Sequence, residues 1–164
     1  MTTAPIDSAQ FRTVLGHFLS GVTVVTAIDP DTKRPVGMAV GSFTSVSLDP
    51  PLVAFLPGRT ASAWGAIHAA GSFCVNMLAV NQEQVSRTFA SKVEDRFSGL
   101  GWTPASHTGS PRLDGALAWI DCDIDAVHEA GDHLIVIGAV RALDVSSETG
   151  PLAYYRGGYG RFEL

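Results

Sequence analysis

Hydroxyl side chains crowd one stretch of the chain, Gly37-Met-Ala-Val-Gly-Ser-Phe-Thr-Ser-Val-Ser47. If it is extended, alternation sets Ser42 and Thr44 on one face and Phe43, Ser45 and Ser47 on the other. Small hydroxyl residues leave space and offer donors and acceptors, and the backbone beside Gly41 is accessible. A flat ring with polar edges can lie on such a surface; a strand with one solvated face accounts for the same residues. A second stretch, Pro57-Gly-Arg-Thr-Ala-Ser62, is expected to open a helix. Free N–H groups at Thr60, Ala61 and Ser62, the Arg59 cation and the Thr60 and Ser62 hydroxyls would together attract an anion such as phosphate. Ordinary capping by Thr60 beside a solvated Arg59 is the competing account.

Three further places carry polar chemistry. Phe89-Ala90-Ser91-Lys92 closes a helix, so Lys92 either pairs with a phosphate or complements the helix C-terminus. Phe89 can be core. Gly131-Asp132-His133 sits at a hairpin tip, where His133 is either a solvated turn residue or a hydrogen-bonding partner for a ligand amide or ring. Near the end, Tyr159 and Arg161 lie among glycines; both can stack on a heteroaromatic ligand, or the segment is a flexible end packed on a neighbour.

Familiar catalytic signatures are missing. There is no HExxH, GxSxG, Walker A loop or GxGxxG. The histidines at 17, 68, 107, 128 and 133 have no metal-ligand spacing, so no metal site is expected. Histidines other than His133 are assigned to structure or solvent. A chain without an evident nucleophile suits chemistry done by a bound organic cofactor, to which protein supplies orientation and electrostatics.

The elements that must position these residues follow from periodicity. Asp7 or Ser8 can cap a first helix, with Gln10 reaching back towards Asp7; Phe11, Val14, Leu15 and Phe18 follow at helical spacing and Gly21 ends it. Val22–Ile28 reads as a β-branched strand, Val36–Ser47 as one long strand with a bulge near its glycines, and Leu52–Leu56 as a short strand. Thr60 is expected to cap a helix that stops at Gly71. Ser72–Leu78 is a strand, Asn81 caps a helix from Gln82 to about Ser91, and 99–111 is loop-rich. Ala116–Glu129 and His133–Val145 form a hairpin around Ala130-Gly131-Asp132. Six or seven strands with three helices and little strand–helix alternation predict a mainly β fold with peripheral helices, curled into a barrel to hide its edges.

Composition sets outer bounds. The 164 residues favour one domain, 1–164, with a core of about 11–162. Hydrophobic residues make up 46% and charged residues 16%, which argues against disorder. Acidic residues outnumber Lys plus Arg by 16 to 11, giving a formal charge of −5 and no basic footprint for nucleic acid. No apolar run approaches the ~20 residues of a membrane span. MTTAPIDSAQ lacks the pattern of a signal peptide. Cys74 and Cys122 read as buried thiols in a reducing, cytoplasmic compartment, although a single disulfide between them is the other option.

Taken together, several of these segments resemble the flavin reductase family, the reductase components of two-component flavin monooxygenases. The likeness runs from about Phe11 to Phe162. It rests on Gly37-Met38, Ser42-Phe43-Thr44-Ser45-Val46-Ser47-Leu48-Asp49-Pro50-Pro51-Leu52, Phe73-Cys-Val-Asn-Met-Leu78, Arg87-Thr-Phe-Ala90, Gly131-Asp132-His133 and Tyr155-Arg-Gly-Gly-Tyr159, in that order. The resemblance implies a Greek-key-like split β-barrel, usually a homodimer, that binds FMN or FAD and takes a hydride from NADH or NADPH. It implies that the segment containing Gly41, Ser42, Phe43, Thr44 and Ser45 lines the isoalloxazine ring, and that Arg59, Thr60, Ala61 and Ser62 hold the phosphate. It also implies that Phe89, Ala90 and Lys92 approach the flavin, that His133 lies near ring and nicotinamide as the catalytic residue, and that the Tyr159 tail, with Arg161, covers the site. Many members read Gly-Met-Thr-Ala-Asn where this chain has Gly37-Met38-Ala39-Val40-Gly41, so the usual Thr and Asn side chains are missing. The implied role is to supply reduced flavin to a partner monooxygenase. A flavoprotein that retains FMN as an oxidase, a non-turning-over flavin or haem carrier, and a colourless barrel that mediates only protein contacts are the alternatives.

Overall fold

A computed structural model describes residues 5–162. The sequence MTTAPIDSAQ, read as lacking a signal peptide, begins outside that range. Along the chain come α1 (Ser8–Leu15), β1 (Ser20–Gly21), β2 (Thr23–Ile28), β3 (Pro35–Val40), β4 (Thr44–Leu48), β5 (Pro51–Phe55), α2 (Trp64–Ala70) and β6 (Ser72–Met77). Then follow α3 (Glu83–Ala90), β7 (Trp102–Pro104), β8 (Pro111–Leu113), β9 (Ala118–Ala130), β10 (His133–Val145), β11 (Leu152–Tyr155) and β12 (Gly158–Arg161). The fold is mainly β, as expected, but with more strands than the six or seven read from pattern. The additional ones are short pairs: β7 with β8 inside the loop-rich stretch, and β1 with β11 and β12, so the Gly-rich tail is a hairpin.

The principal sheet has seven antiparallel strands in the order β3-β2-β6-β9-β10-β5-β4. Its two edge strands are consecutive in the chain, and only Gly41-Ser42-Phe43 joins them. Four Cα–Cα steps span at most about 14 Å. In a flat sheet of this width the edges would stand roughly 29 Å apart. The sheet therefore curls until β3 and β4 face each other at one end. They do not pair, which leaves a barrel split along that seam. The stretch expected as one strand over 36–47 is thus two strands on opposite edges. Tertiary closure overrides the extended propensity at Gly41.

Curling creates two packing regions. Val25, Phe55, Phe73, Val75, Cys122 and Val136 pack inside the curl against Trp64 and Ile67 of α2. Val22, Val24, Leu78, Phe89, Phe97, Leu113 and Leu152 pack on the other side. Strand β2 is buried on both faces, which explains its unbroken apolar run. A buried knot fixes the β7–β8 hairpin onto it: Asn76 Nδ2 donates to Pro111 O and Thr26 Oγ1 (3.2 Å each), and Asn76 Oδ1 accepts from Leu113 N (2.7 Å). Burying amides is tolerable because each is paired.

Helix ends differ from expectation in instructive ways. Asp7 caps α1, accepting from Ala9 N at 3.3 Å, but the helix ends at Gly16 rather than Gly21. Its apolar stripe, Phe11, Val14 and Leu15, is exposed, as are Phe18 and Leu19. Neither Thr60 nor Asn81 is a cap: α2 follows Ala63 and α3 follows Gln82, without side-chain caps. The Gln82 side chain accepts from Ala79 N instead, at 3.0 Å. Cys74 and Cys122 are free and buried. Cys74 stands opposite Asp121 and Cys122 opposite Phe73, so adjacent register positions send the thiols to opposite faces. Burial pushes both thiols up, Cys122 to about 12.

Close packing also decides one glycine. A Cβ on Gly138 would collide with Phe73 Cζ and lie 3.2 Å from Cys122 Cβ. Gly138→Ala is expected to lower stability by about 1–3 kcal/mol through overpacking, read as an earlier urea midpoint.

Candidate functional site

A cleft of about 740 Å³ opens at the seam, within the size range of small-molecule sites. Its floor is the end of β3 and its continuation, Met38 to Ser42. One wall is the segment after β5, from Leu56 to Ala63, and the other is the end of α3, from Phe89 to Lys92, with Arg96 beyond it. His133 closes one side.

Backbone hydrogen bonds fix the wall that carries His133. Arg59 N donates to Asp132 O (3.0 Å) and Leu134 N donates to Pro57 O (3.0 Å), while Gly58 bridges His133. The hairpin β9–β10, with Gly131 in the left-handed region at φ 65°, is thereby stitched to the loop after β5. His133 is half exposed, and its Nδ1 lies 2.8 Å from Asp132 Oδ1. That contact holds the Asp132 carboxyl below its ordinary range. With Asp132 accepting from Nδ1–H, Nε2 carries a lone pair when the ring is neutral and a proton when it is charged. At the seam itself, Ser42 Oγ donates to Leu56 O (3.2 Å) and accepts from Leu56 N (3.1 Å), so its hydroxyl ties the strand connection to the end of β5.

Several expected residues meet in this cleft: Gly41, Ser42, Thr60, Ala61, Ser62, Phe89, Ala90, Lys92 and His133. Others lie elsewhere in the single chain. The Phe43 ring packs on the core inside the curl. Thr44 and Ser45 sit on the edge strand β4, paired with Ala54 and Val53. The Arg59 side chain reaches Glu129 (2.9 Å) and Gly131 O (3.4 Å), bracing the hairpin tip. Tyr159 OH meets Ser86 Oγ at 2.9 Å and its ring lies under the Arg87 guanidinium, so the tail hairpin is fastened to α3. Arg161 stands opposite Leu152 in that hairpin. The expected helix start is also displaced, since α2 has only seven residues and begins after Ala63. Hydroxyls of Thr60 and Ser62 and the Lys92 and Arg96 cations line the cleft, and no helix starts at Thr60.

Arg96 is the cation that sequence reasoning missed. Its Nη1 donates to Gly37 O (2.8 Å), and its Nη2 donates to Ser62 Oγ (3.0 Å) and Ser91 O (2.7 Å). One guanidinium thus joins β3, just before the floor, to both walls, while its Nε is buried without a partner. No motif announces it, because two of its three partners lie 34 and 59 positions away. Gly37 lets α3 approach the floor: a Cβ there would stand 2.8 Å from Phe89 Cε1.

The arrangement fits a flavin. Apolar groups of Met38, Val40, Leu56 and Ala90 offer a surface for a flat ring beside Gly41, where an added Cβ would meet only Ser20 Oγ, at 3.5 Å. Thr60, Ser62 and Lys92 offer donors for a phosphate. A search of family models matches residues 15–163 to the flavin reductase like domain. The chain belongs to that family. It is 59% identical over 157 residues to a flavin reductase of Pseudomonas putida, covering 96% of this chain and 91% of that one. It is 47% identical to the flavin-dependent monooxygenase reductase subunit HsaB of Mycobacterium tuberculosis, covering 98% and 85%. Among solved structures it superposes, with TM-score 0.89 and 36% identity, on the NADH:FAD oxidoreductase SgcE6 of Streptomyces globisporus C-1027 in complex with NAD and FAD fragments, covering 96% and 93%.

Removing the three-way clamp should be costly even without ligand. Arg96→Ala is expected to lower stability by about 1–3 kcal/mol, measured by chemical denaturation with the slope unchanged.

Proposed function

We propose that this protein is an NAD(P)H:flavin oxidoreductase that supplies reduced flavin to a separate monooxygenase. The observation that carries the reading is a cleft in a flavin reductase like domain with an apolar surface, a hydroxyl-and-cation end and His133 on one wall. The relatives add support, being flavin reductases and a reductase subunit.

A bound flavin supplies a ring that accepts a hydride from nicotinamide. The protein's share is positioning. Thr60, Ser62 and Lys92 would hold the phosphate end, and Met38, Val40 and Leu56 would exclude water from the ring. Asp132 fixes the His133 ring, whose Nε2 lone pair can accept from a carboxamide N–H and so orient the donor. No acid–base triad is needed for hydride transfer itself, which accounts for the absence of catalytic signatures.

The exposed apolar face of α1 and Phe18 beyond its end, at 77% exposure, support a homodimer in which a second copy covers them. The edge strand β4 adds exposed Val46 and Leu48. Two free buried thiols fit a reducing compartment, and we place the protein in the cytoplasm. No helix among the described residues is long and apolar enough to cross a membrane.

Steady-state NADH and NADPH oxidation with FMN, FAD and riboflavin in parallel tests the reading. Turnover that rises with added free flavin is expected. A purified protein that stays yellow but ignores free flavin would instead be a carrier or an oxidase. His133→Ala should slow turnover on the order of tenfold, about 1.4 kcal/mol, with flavin affinity nearly intact; an unchanged rate removes His133 from the site. Light scattering should give about twice the monomer mass of 17.3 kDa. A monomer at micromolar concentration would refute the dimer.

A further inference from the structure

One hydrogen bond in the cleft can run in only one direction. Arg96 Nη2 lies 3.0 Å from Ser62 Oγ. A guanidinium carries N–H donors and no acceptor, so the arginine donates and the serine oxygen accepts. The Ser62 proton must therefore be given to another group. Ser62 is exposed, lines the cleft and makes no other hydrogen bond among the described residues.

Arg96 itself is firmly held. Nη1 donates to Gly37 O at 2.8 Å and Nη2 donates also to Ser91 O at 2.7 Å, so main-chain carbonyls pin both outer nitrogens. Ser91 is fixed in turn: its Oγ donates to Thr88 O (2.8 Å) and accepts from Val93 N (3.2 Å). The next residue, Phe97, is buried, with its ring edge-on to Phe89 at 5.1 Å and to Trp102 at 6.4 Å. Thr60 and Lys92 differ. Both line the same cleft, and neither side chain has a partner among the described residues. Of these three groups, Ser62 alone is oriented by a protein bond. Ser62, Lys92 and Arg96 form a wall common to this cleft and a second one of about 870 Å³.

We propose, on the reading of the cleft as a flavin site, that Arg96 is a positioning residue: by donating to Ser62 Oγ it makes the serine a fixed proton donor for the phosphate of a bound flavin. A cation bonded to the oxygen also polarises the O–H, which strengthens it as a donor. Orienting the hydroxyl beforehand removes part of the ordering cost of binding. Lys92 can meet a phosphate as a mobile charge, whereas the Arg96–Ser62 pair meets it at a set place.

Fluorescence titrations with FMN and with riboflavin, which lacks the phosphate, test this. The ratio of the two affinities reads phosphate recognition and cancels losses common to both ligands. The proteins compared are wild type, Ser62→Ala, Arg96→Ala, Arg96→Lys and the double variant Ser62→Ala/Arg96→Ala. Each alanine variant should lower the preference for FMN about fivefold, with riboflavin affinity kept within about twofold. The double variant should match the single ones within about twofold, because one change removes the hydroxyl that the other leaves unoriented. Arg96→Lys keeps the charge but not the planar fork, and should not restore the preference. Should Arg96→Ala fail to fold, Arg96→Lys carries the same comparison, alone and combined with Ser62→Ala. Equal losses for FMN and riboflavin would leave Arg96 a purely structural role and overturn the proposal, as would an unchanged preference in the Arg96 variants. Losses that multiply in the double variant, or full restoration by lysine, overturn it too, since Arg96 would then act on the phosphate independently of Ser62. So does a wild type that binds FMN no better than riboflavin. A wild type that binds neither flavin sinks the functional reading instead.

Discussion

Three residues, Gly41-Ser42-Phe43, impose the constraint on which the molecule depends. They connect the opposite edges of a seven-stranded sheet, and a chain that short cannot cross the width of a flat sheet. Curling is therefore obligatory rather than a preference of the strands. The seam that remains is where backbone and small side chains lie open, and the cleft forms along it. Ser42 reinforces the closure by exchanging hydrogen bonds with Leu56. That hydroxyl fixes the connection between the edges against the end of β5.

The rest of the site hangs on that closure through bonds between distant segments. The hairpin tip is sewn to the loop after β5 by backbone bonds, which carries His133 to the rim. Arg96 joins β3 just before the floor, Ser62 and the end of α3. Gly37 makes room for Phe89 beneath. Such a scaffold presents shape and a few donors rather than a reactive group, which is the division of labour expected where an organic cofactor brings the chemistry.

Much of the architecture was legible because strong local signals and tertiary demands agreed. The run Val22–Ile28 is β-branched and is buried on both faces. The hairpin around Gly131 has a turn sequence and a long register that starts where expected, at His133. The ordered set of family motifs pointed to the fold before any contact was known. Agreement failed where closure dictated geometry. Val36–Ser47 has one propensity but two fates. Thr60 and Asn81 are good caps by type, yet the chain enters α2 and α3 later, at Trp64 and Glu83.

From residue order alone came the fold class, most strand positions, the flavin reductase resemblance and the identity of the stretches around 41, 60, 90 and 133. Those are properties of neighbours along the chain, and propensity or motif acts over a few residues. Only the folded molecule decided that Arg59 braces a hairpin while Arg96 commands the cleft, that Tyr159 fastens the tail to α3, and that a second cleft shares the cationic wall. A charged or hydroxyl side chain satisfies whichever partner closure brings within hydrogen-bond reach. Those partners come from positions far apart in sequence, where no local pattern records them.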